Sequence, residues 1–327
     1  MLILTRQDIE KIVEIKDVID AVEKAYLERA KQTAICPERL VIDIKKHKGS
    51  VLCMPAYLSK MDILATKIVT NYEENLSKYG LPTILGSIIL NDSKTGSIIS
   101  LIEGTYITAL RTGATSGVAA KYLARKDSEV ISVIGAGVQA RTQVWALCQV
   151  LKNVNKVKAY DAVFERAEKF VKEISRMPLT IDAEIARSSR ECVEDSDVVI
   201  IATTSRVPVL DGNWIKKGTH VTSIGYVGPD GRELDDATVK RSKIVVDTKS
   251  VLVESGDLII PIRKGIITKD DVHAELAEIV SGEKLGRAEK DEITCFKSVG
   301  LAIGDAAVAG LVYKKAIKEK VGTEINL

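Results

Sequence analysis

One glycine-rich turn constrains the fold of this chain more than any other feature. An apolar segment, 129–134, runs directly into the sequence GAGVQA at 135–140, which has the pattern G-x-G-x-x-A and is followed by apolar residues at helical spacing. Gly135 permits a tight turn, Gly137 allows phosphate groups to approach the backbone, and Ala140 allows close packing of helix on strand. Backbone N–H groups at the start of such a helix bind the pyrophosphate of a dinucleotide. An ordinary glycine-rich turn has the same local pattern, so the surrounding sequence must decide.

The surrounding sequence favours dinucleotide binding. A second strand-like segment, 156–161, ends in Asp161, where the ribose 2′-hydroxyl of a dinucleotide needs a hydrogen-bond acceptor. A carboxylate at this position repels the 2′-phosphate of NADP, so Asp161 favours NAD. The same residue also suits the start of the helical segment 165–174, and the two roles are compatible.

The remaining pattern predicts the fold class and the domains. Three further strand-like segments alternate with helical patterns and span 197–202, 219–225 and 243–247. This alternation predicts an α/β fold with a doubly wound parallel sheet of the Rossmann type. The chain has 327 residues, which is long enough for two domains. We place an NAD-binding domain at 124–300, inserted into an α+β substrate-binding domain composed of 1–123 and 301–327.

Composition excludes several classes of partner. The formal net charge is only +2 and the basic residues are scattered, so we expect neither nucleic acid nor an anionic membrane surface as a partner. The sequence has no apolar run of the roughly 18 residues that span a membrane and no signal-peptide pattern, which predicts a cytoplasmic protein. Its five cysteines and three histidines lack metal-ligand spacing, which predicts buried, reduced thiols and no metal site.

Three cations among apolar residues are the candidate substrate-binding groups. Arg39 begins a strand-like segment, Lys67 lies inside the apolar segment 63–69, and Arg111 lies early in a helical segment, 108–125, that is rich in small residues. A cation with aliphatic neighbours is unfavourable unless it has a partner, and a substrate carboxylate would be one. Alternatively, each cation pairs with a structural acid or extends its charged end to solvent.

The motifs around these cations resemble those of a known family. They are MPAY at 54–57, KIVT at 67–70, GLPT at 80–83, ITALRTGA at 107–114, GAGVQA at 135–140 and DEITCFKS at 291–298. Together they resemble the ornithine cyclodeaminase/mu-crystallin family, which also contains archaeal alanine dehydrogenases and ketimine reductases. The resemblance implies a homodimer formed through the sheet of the substrate-binding domain. The apolar segment 83–90 is a candidate for this surface, although a core strand would have the same pattern.

The resemblance also implies roles for individual residues. Arg39, Lys67 and Arg111 match the family's substrate-carboxylate cluster, and Lys67 is the candidate acid/base. The positions that match the family's cofactor site, from the phosphates at Thr112 to the nicotinamide amide at Ser298, are Thr112, Gly135, Gly137, Val138, Gln139, Ala140, Asp161, Thr203, Thr204, Gly225, Tyr226, Val227 and Ser298.

One departure from the family pattern bears on the reaction. Cyclodeaminases carry a catalytic aspartate where this chain has Val227, and valine can neither accept a proton nor hold an ammonium group. No carboxylate precedes Met54, where the ornithine enzymes place one to meet the distal amine. Asp230 lies three residues after Val227, but it belongs to a Pro-Asp-Gly sequence that favours a turn. Cyclisation of ornithine is therefore disfavoured.

We predict an oxidoreductase that transfers a hydride between NAD(H) and the α-carbon of a small amino or imino acid. Arg39 and Arg111 would hold the carboxylate, since a guanidinium stays charged and offers bidentate hydrogen bonds. Lys67, with a lowered pKa, would act as acid/base at the nitrogen. Two alternatives remain: a cyclodeaminase that uses NAD catalytically and releases ammonia, and a non-catalytic binding protein like mu-crystallin.

Overall fold

The computed structural model describes residues 1–225 and 227–326, which form two compact units. The first unit comprises Met1–Arg111 and the chain from Leu301 onward, and the second comprises Thr112–Gly300. One boundary coincides with the division after residue 300 that the sequence pattern indicated. The other lies between Arg111 and Thr112, inside a helix, whereas the sequence pattern placed it at the end of that helix.

The chain contains strands and helices throughout both units. In chain order the strands are β1 (Leu2–Leu4), β2 (Ala34–Ile35), β3 (Leu40–Ile44), β4 (Gly49–Leu58), β5 (Ile63–Tyr72), β6 (Ile84–Asn91), β7 (Ile98–Glu103), β8 (Val130–Ile134), β9 (Lys156–Tyr160), β10 (Asp182–Ile185), β11 (Val198–Ile201), β12 (His220–Ser223), β13 (Ser242–Val246), β14 (Val272–Glu275), β15 (Ile293–Lys297) and β16 (Thr323–Glu324). The α-helices are α1 (Arg6–Ile12), α2 (Ile15–Ala30), α3 (Asn75–Tyr79), α4 (Gly104–Leu123), α5 (Val138–Val150), α6 (Phe164–Ile174), α7 (Ser189–Val193), α8 (Asp236–Arg241), α9 (Val251–Glu254), α10 (Gly256–Arg263), α11 (Leu276–Val280) and α12 (Ala302–Glu319).

The first unit is built on a mixed sheet. Its strand order is β16-β1-β7-β6-β5-β4-β2, and β3 also pairs with β4. Only β1 and β7 run parallel, and the other pairs are antiparallel. Helix α12 packs against α2 and against β4 and β5. The C-terminal helix therefore covers the middle of the sheet, where β5 carries Lys67.

The second unit is built on an eight-stranded sheet with the order β10-β9-β8-β11-β12-β15-β13-β14. Every neighbouring pair in it is parallel. The five strands predicted for this unit correspond to β8, β9, β11, β12 and β13. The sequence analysis did not predict β10, β14 or β15, so the sheet is wider than expected.

Hydrophobic cores lie on both faces of this parallel sheet. Neighbouring residues of β11 point to opposite faces: Val198 and Ile200 belong to one core, and Val199 and Ile201 belong to the other. Residues of α4, α5 and α6 complete the first core, and residues of α8, α9 and α10 complete the second. Helices on both faces define a doubly wound sheet. The predicted fold class is therefore confirmed.

Several kinds of feature are absent from the part of the chain that the structure describes. None of the helices there has the length and apolar character needed to cross a bilayer. No group of three His, Cys, Asp or Glu side chains in residues 1–225 and 227–326 could hold a metal ion. All five cysteines are free thiols. Cys192 and Cys295 are buried, whereas Cys36, Cys53 and Cys148 are partly exposed, which corrects the expectation that all five would be buried.

Candidate active site

Lys67 lies on the buried face of β5 in the first unit. The register pairs it with Met54 of β4 and with Ile88 of β6, so these three side chains point to the same side of the sheet. Met54 and Ile88 are themselves buried, and Lys67 is only 1% exposed. An ammonium group between two apolar side chains loses most of its hydration, so it needs nearby polar partners.

Asp305, in the first turn of α12, is the partner that joins two of the predicted cations. One carboxylate oxygen, Oδ2, lies 2.8 Å from Lys67 Nζ, and the other, Oδ1, accepts a hydrogen bond from Arg111 Nε at 3.1 Å. Lys67 Nζ also donates to Thr108 Oγ1 at 3.5 Å. All of these residues are buried and belong to the first unit. The structure thus brings Lys67 and Arg111 together around one acid.

The electrostatic balance of this cluster favours a proton-transfer role for Lys67. Burial, opposed by the charge of Asp305 and reinforced by Arg111 and Arg39, lowers the pKa of Lys67 to about 8. Arg39 immediately precedes β3, whose Leu40 pairs with Cys53, next to Met54 on β4. A lysine with such a pKa exchanges its proton readily near neutral pH.

The cluster combines groups that suit an anionic ligand. A structural acid pairs with two of the predicted cations, as the alternative interpretation proposed, because Asp305 contacts both Lys67 and Arg111. The charge of Arg39 also acts on Lys67. A planar guanidinium can bind a carboxylate through two hydrogen bonds, so the two arginines suit a carboxylate ligand.

The sequence analysis missed Asp305, although a signal for it exists. This aspartate is surrounded by Ala, Gly and Ile in the segment 302–307, just as Lys67 is surrounded by apolar residues on β5. A lone charge of opposite sign in a second apolar segment is what a buried ion pair requires. Comparing the two segments would have suggested the pair, but not its geometry.

In the second unit, most predicted cofactor residues lie at the carboxyl edge of the parallel sheet. They follow five adjacent strands: Gly135 after β8, Asp161 after β9, Thr203 and Thr204 after β11, Gly225 after β12, and Ser298 after β15. Thr112 differs, since it lies within α4. The order β9-β8-β11 contains the point at which the chain reverses direction across the sheet, which is where doubly wound folds bind their ligands.

The glycine turn after β8 has the geometry that a dinucleotide requires. Gly135 adopts φ +93°, and a Cβ there would lie 2.5 Å from the carbonyl oxygen of Ala202. Gly137 is the N-cap of α5, and a Cβ built on it meets no atom within 4 Å. Open space therefore lies before the helix N-terminus, where backbone N–H groups bind phosphate. Ala140 is fully buried, which agrees with its predicted packing role.

The two side chains of α5 that were predicted to contact the cofactor differ in exposure. Val138, the first residue of the helix, is 69% exposed. The Oε1 atom of Gln139 is buried and has no hydrogen-bond partner among the described residues. An acceptor in that state suits a ligand hydroxyl or amide, so this turn fits a bound dinucleotide.

Asp161 joins the end of β9 to the glycine turn. Its Oδ2 accepts a hydrogen bond from the N–H of Ala136 at 2.9 Å, and its Oδ1 accepts one from the N–H of Val163 at 2.9 Å. The N-cap of α6 is Val163 rather than Asp161, because Asp161 forms the turn that precedes the helix. Each carboxylate oxygen can accept a second hydrogen bond, so a ribose hydroxyl remains compatible with these contacts.

Two acids that the sequence analysis did not select, Asp247 and Glu233, accept hydrogen bonds from the predicted residues after β15 and β11. Ser298 Oγ donates to Asp247 Oδ2 at 2.6 Å, and the same oxygen accepts from the N–H of Gly300 at 2.6 Å. Thr203 donates both its N–H and its hydroxyl to Glu233 Oε1, at 2.7 and 2.6 Å. Thr204 is exposed. Of the turn predicted at 225–227, Val227 is partly exposed and Tyr226 lies outside the described residues.

With this geometry, the chain can be compared with known proteins. The model of the ornithine cyclodeaminase/mu-crystallin family matches residues 1–320. The chain belongs to this family. It is 39% identical to alanine dehydrogenase from Archaeoglobus fulgidus over 99% of this chain and 98% of that relative. The family predicted from the motifs is thus confirmed.

Two solved structures of family members are similar along the whole chain. The first is the Thermococcus litoralis Δ1-pyrroline-2-carboxylate reductase in complex with NADH and L-proline, with 54% identity, a TM-score of 0.96, and coverage of 99% of this chain and 100% of that one. The second is an archaeal alanine dehydrogenase dimer with bound NAD, with 39% identity, a TM-score of 0.93, and coverage of 100% and 99%.

Proposed function

We propose that this chain is an NADH-dependent reductase of cyclic α-imino acids that converts Δ1-pyrroline-2-carboxylate to proline. The broader class, an NAD-dependent oxidoreductase of small amino or imino acids, was predicted from the sequence, and the named relatives confirm it. The reaction chemistry that we assign rests on one observation above all: a lysine with a lowered pKa and an arginine share a buried aspartate in the first unit.

Each member of the cluster has a role that follows from its contacts. We assign binding of the substrate carboxylate to Arg111 and Arg39, and protonation of the imine nitrogen to Lys67. The Lys67 ammonium carries three N–H groups and donates to Thr108, while Asp305 Oδ2 lies 2.8 Å from it as a counter-ion, and we assign another N–H to the substrate nitrogen. Asp305 keeps the ammonium and guanidinium at a fixed separation, and such orientation lowers the barrier of the chemical step.

The dinucleotide, when bound, supplies the hydride for the α-carbon. We assign its pyrophosphate to the turn from Gly135 to Gly137 and its adenosine ribose to Asp161. The strand ends at Thr203, Gly225 and Ser298 would enclose its nicotinamide half, with Thr112, Val138, Gln139, Thr204, Tyr226 and Val227 as further contacts. These assignments combine the sequence motifs with the position of Gly135, Asp161, Thr203, Gly225 and Ser298 at one sheet edge.

The preference for a cyclic substrate has two supports. Met54 and Ile88 flank Lys67 in the sheet and are buried, so the group that would meet the nitrogen lies in an apolar environment. A ring of methylene carbons gains more from such an environment than the single methyl group of alanine does. The chain is also more similar to the reductase solved with proline than to the alanine dehydrogenase, at 54% against 39% identity.

A substrate panel followed by NADH absorbance tests this assignment. We expect Δ1-pyrroline-2-carboxylate to give a kcat/KM at least about tenfold higher than pyruvate with ammonia, since burying two more methylene groups contributes about 1.6 kcal/mol. NADPH should be a poor donor because of Asp161. Ornithine with NAD should release no ammonia. Faster turnover of pyruvate with ammonia would instead identify an alanine dehydrogenase, and ammonia release without net NADH would identify a cyclodeaminase.

We also propose that two copies of this chain form a homodimer through the outer face of the sheet in the first unit. Leu40, Ile42 and Ile68 lie on the face opposite Lys67 and are 62%, 53% and 38% exposed. Contiguous exposed apolar residues of this kind mark an interaction surface. The predicted segment 83–90 contributes only in part: Leu85 is exposed on this face, whereas Ile88 is buried in the core.

Sedimentation analysis tests the dimer. We expect the wild-type chain to sediment as a dimer and the variant Ile42→Asp to sediment as a monomer at micromolar concentration, because a charge in the middle of an apolar interface loses its hydration. Val253→Asp is a matched control, since Val253 is 71% exposed but belongs to the second unit. A monomeric wild type, or a dimeric Ile42→Asp variant, would contradict the proposal.

A further inference from the structure

A buried ionic cluster in the second unit has no part in the reaction described above. Lys297, the last residue of β15, is fully buried. Its Nζ lies 2.7 Å from Asp257 Oδ2 and donates to the carbonyl oxygen of Gly225 at 2.7 Å and to Ser223 Oγ at 3.1 Å. An ammonium has three N–H groups, so these three contacts use all of them.

Two buried acids complete the cluster, which we call the Lys297 cluster and define as Lys297, Asp257 and Glu233. Glu233 Oε2 lies 4.0 Å from Lys297 Nζ, while Oε1 accepts both hydrogen bonds from Thr203. Asp257 Oδ1 accepts from the backbone N–H groups of Glu233 and Leu234 at 2.7 and 2.8 Å. Lys297 thus connects β15 to the loop that carries Glu233 and to the start of α10.

Glycine is required where the cluster meets the end of β12. A Cβ on Gly225 would lie 2.1 Å from Glu233 Oε2, so this carboxylate packs directly against the backbone. The cluster therefore contacts two backbone segments. Glu233 accepts the hydrogen bonds from Thr203. Gly225 is contacted by Lys297, which donates to its carbonyl oxygen, and by Glu233, which packs against it. Both segments lie at the carboxyl edge of the parallel sheet, after the neighbouring strands β11 and β12.

Stability alone does not account for such a cluster. Taking three charges out of water is unfavourable, and well-packed apolar side chains of the same volume are often equally stable or more so. The charges instead fix geometry, because the three contacts of the buried Lys297 ammonium hold its three acceptors at defined positions. Loops that carry a ligand site benefit from that rigidity.

We propose that Lys297 is a positioning residue for the dinucleotide: through Asp257 and Glu233 it fixes the backbone of Thr203 and Gly225 in the conformation that binds NADH. The inference rests on the proposed cofactor site but goes beyond it, since Lys297 itself contacts neither the cofactor nor the substrate. It predicts that loss of the ammonium weakens NADH binding while the steps at Lys67 continue.

Electrostatics supports Glu233 as the residue through which Lys297 acts on the backbone of Thr203. Burial raises the pKa of Glu233, and the positive charge of Lys297 opposes this rise. Without Lys297, the carboxyl group would take up a proton more readily. A protonated carboxyl is a weaker acceptor, so its two hydrogen bonds from Thr203 would loosen and the loop after β11 would lose its anchor.

Titration of NADH fluorescence with the variant Lys297→Met tests the proposal. We expect the Kd for NADH to rise about tenfold or more, equivalent to about 1.4 kcal/mol of binding free energy. At saturating NADH, kcat and the KM for the imine should stay within about threefold of wild type, because the substrate cluster is intact. The control is Lys243→Met: this lysine of β13 pairs with Glu292 near the opposite ends of the strands, so its loss should leave the Kd unchanged.

Glu233→Gln keeps the test decisive if Lys297→Met does not fold, because it removes one charge and leaves the Lys297–Asp257 pair intact. It should also weaken NADH binding. A folded Lys297→Met or Glu233→Gln variant that binds NADH as tightly as wild type would overturn the inference, even if its melting temperature falls. A wild-type chain that binds no NADH would instead refute the cofactor site of the proposed function, and this inference with it.

Discussion

Replacing Lys67 with methionine should reduce kcat/KM for imine reduction by about 10²–10⁴-fold, the contribution that a positioned general acid or base typically makes. Methionine fills the space between Met54 and Ile88 without a proton to give. NADH binding should persist, since Lys67 belongs to the first unit and the glycine turn to the second. Stopped-flow absorbance gives the rate, and fluorescence titration gives the affinity. Lys16→Met, at an exposed site on α2, is the matched control.

The pH profile distinguishes acid catalysis by Lys67 from a purely structural role. Because the pKa of Lys67 is lowered to about 8, the ammonium form predominates below that pH and is lost above it. In the direction of reduction, kcat/KM should therefore fall as the pH rises through about 8, and oxidation of proline should show the opposite trend. This fall in kcat/KM with rising pH should be absent from the Lys67→Met variant. A profile that is the same in both proteins would argue against Lys67 as the proton donor.

Replacing Asp305 with alanine should lower the free energy of unfolding by about 3–5 kcal/mol, because it leaves two buried cations without their shared acid. Lys67 is 1% and Arg111 7% exposed, so neither can recover its hydration without movement of α12 or β5. Urea unfolding measures the loss. Glu10→Ala removes the acid of an exposed pair with Arg6 and should cost no more than about 1 kcal/mol.

The more conservative variant Asp305→Asn separates stability from chemistry. Asparagine keeps the shape of the side chain but removes its charge, and the charge of Asp305 raises the pKa of Lys67. In the Asp305→Asn variant, kcat/KM for imine reduction should therefore begin to fall at a lower pH than in the wild type. An Asp305→Ala variant as stable as wild type, or an Asp305→Asn variant whose kcat/KM falls at the same pH as in the wild type, would show that Asp305 is not the counter-ion of this cluster.

Local patterns predicted the second unit well. The strand-turn-helix around Gly135 follows from the phosphate chemistry of a glycine turn, and alternating strands and helices in order imply a parallel sheet. Gly135, Asp161, Thr203, Thr204, Gly225 and Ser298, all expected at the cofactor site, then share one sheet edge because parallel strands all end there. Strand β15 was missed because its five residues, although all buried, include Thr294 and Lys297 and therefore form neither an apolar run nor a regular alternation.

The ion pairs could not be predicted in the same way. Asp305 lies 238 residues from Lys67 and 194 from Arg111 along the chain, and Lys297 lies 40 residues from Asp257 and 64 from Glu233. A sequence pattern shows that a charge has apolar neighbours, and therefore that it needs a partner, but several acids satisfy that need equally well. Only packing of α12 on β4 and β5 brings one particular carboxylate within hydrogen-bond distance.

The amino-acid sequence by itself determined the fold class, the family and the cofactor class, and it identified the three candidate substrate-binding cations. These features depend on residue types at short and regular spacings. The tertiary structure alone decided that Asp305 joins Lys67 to Arg111, that Asp161 supports the glycine turn, and that Lys297 holds two strand ends. The physical reason is that a charge loses its water wherever the chain buries it. Which opposite charge compensates it depends on distances of a few ångströms between segments that are remote in sequence.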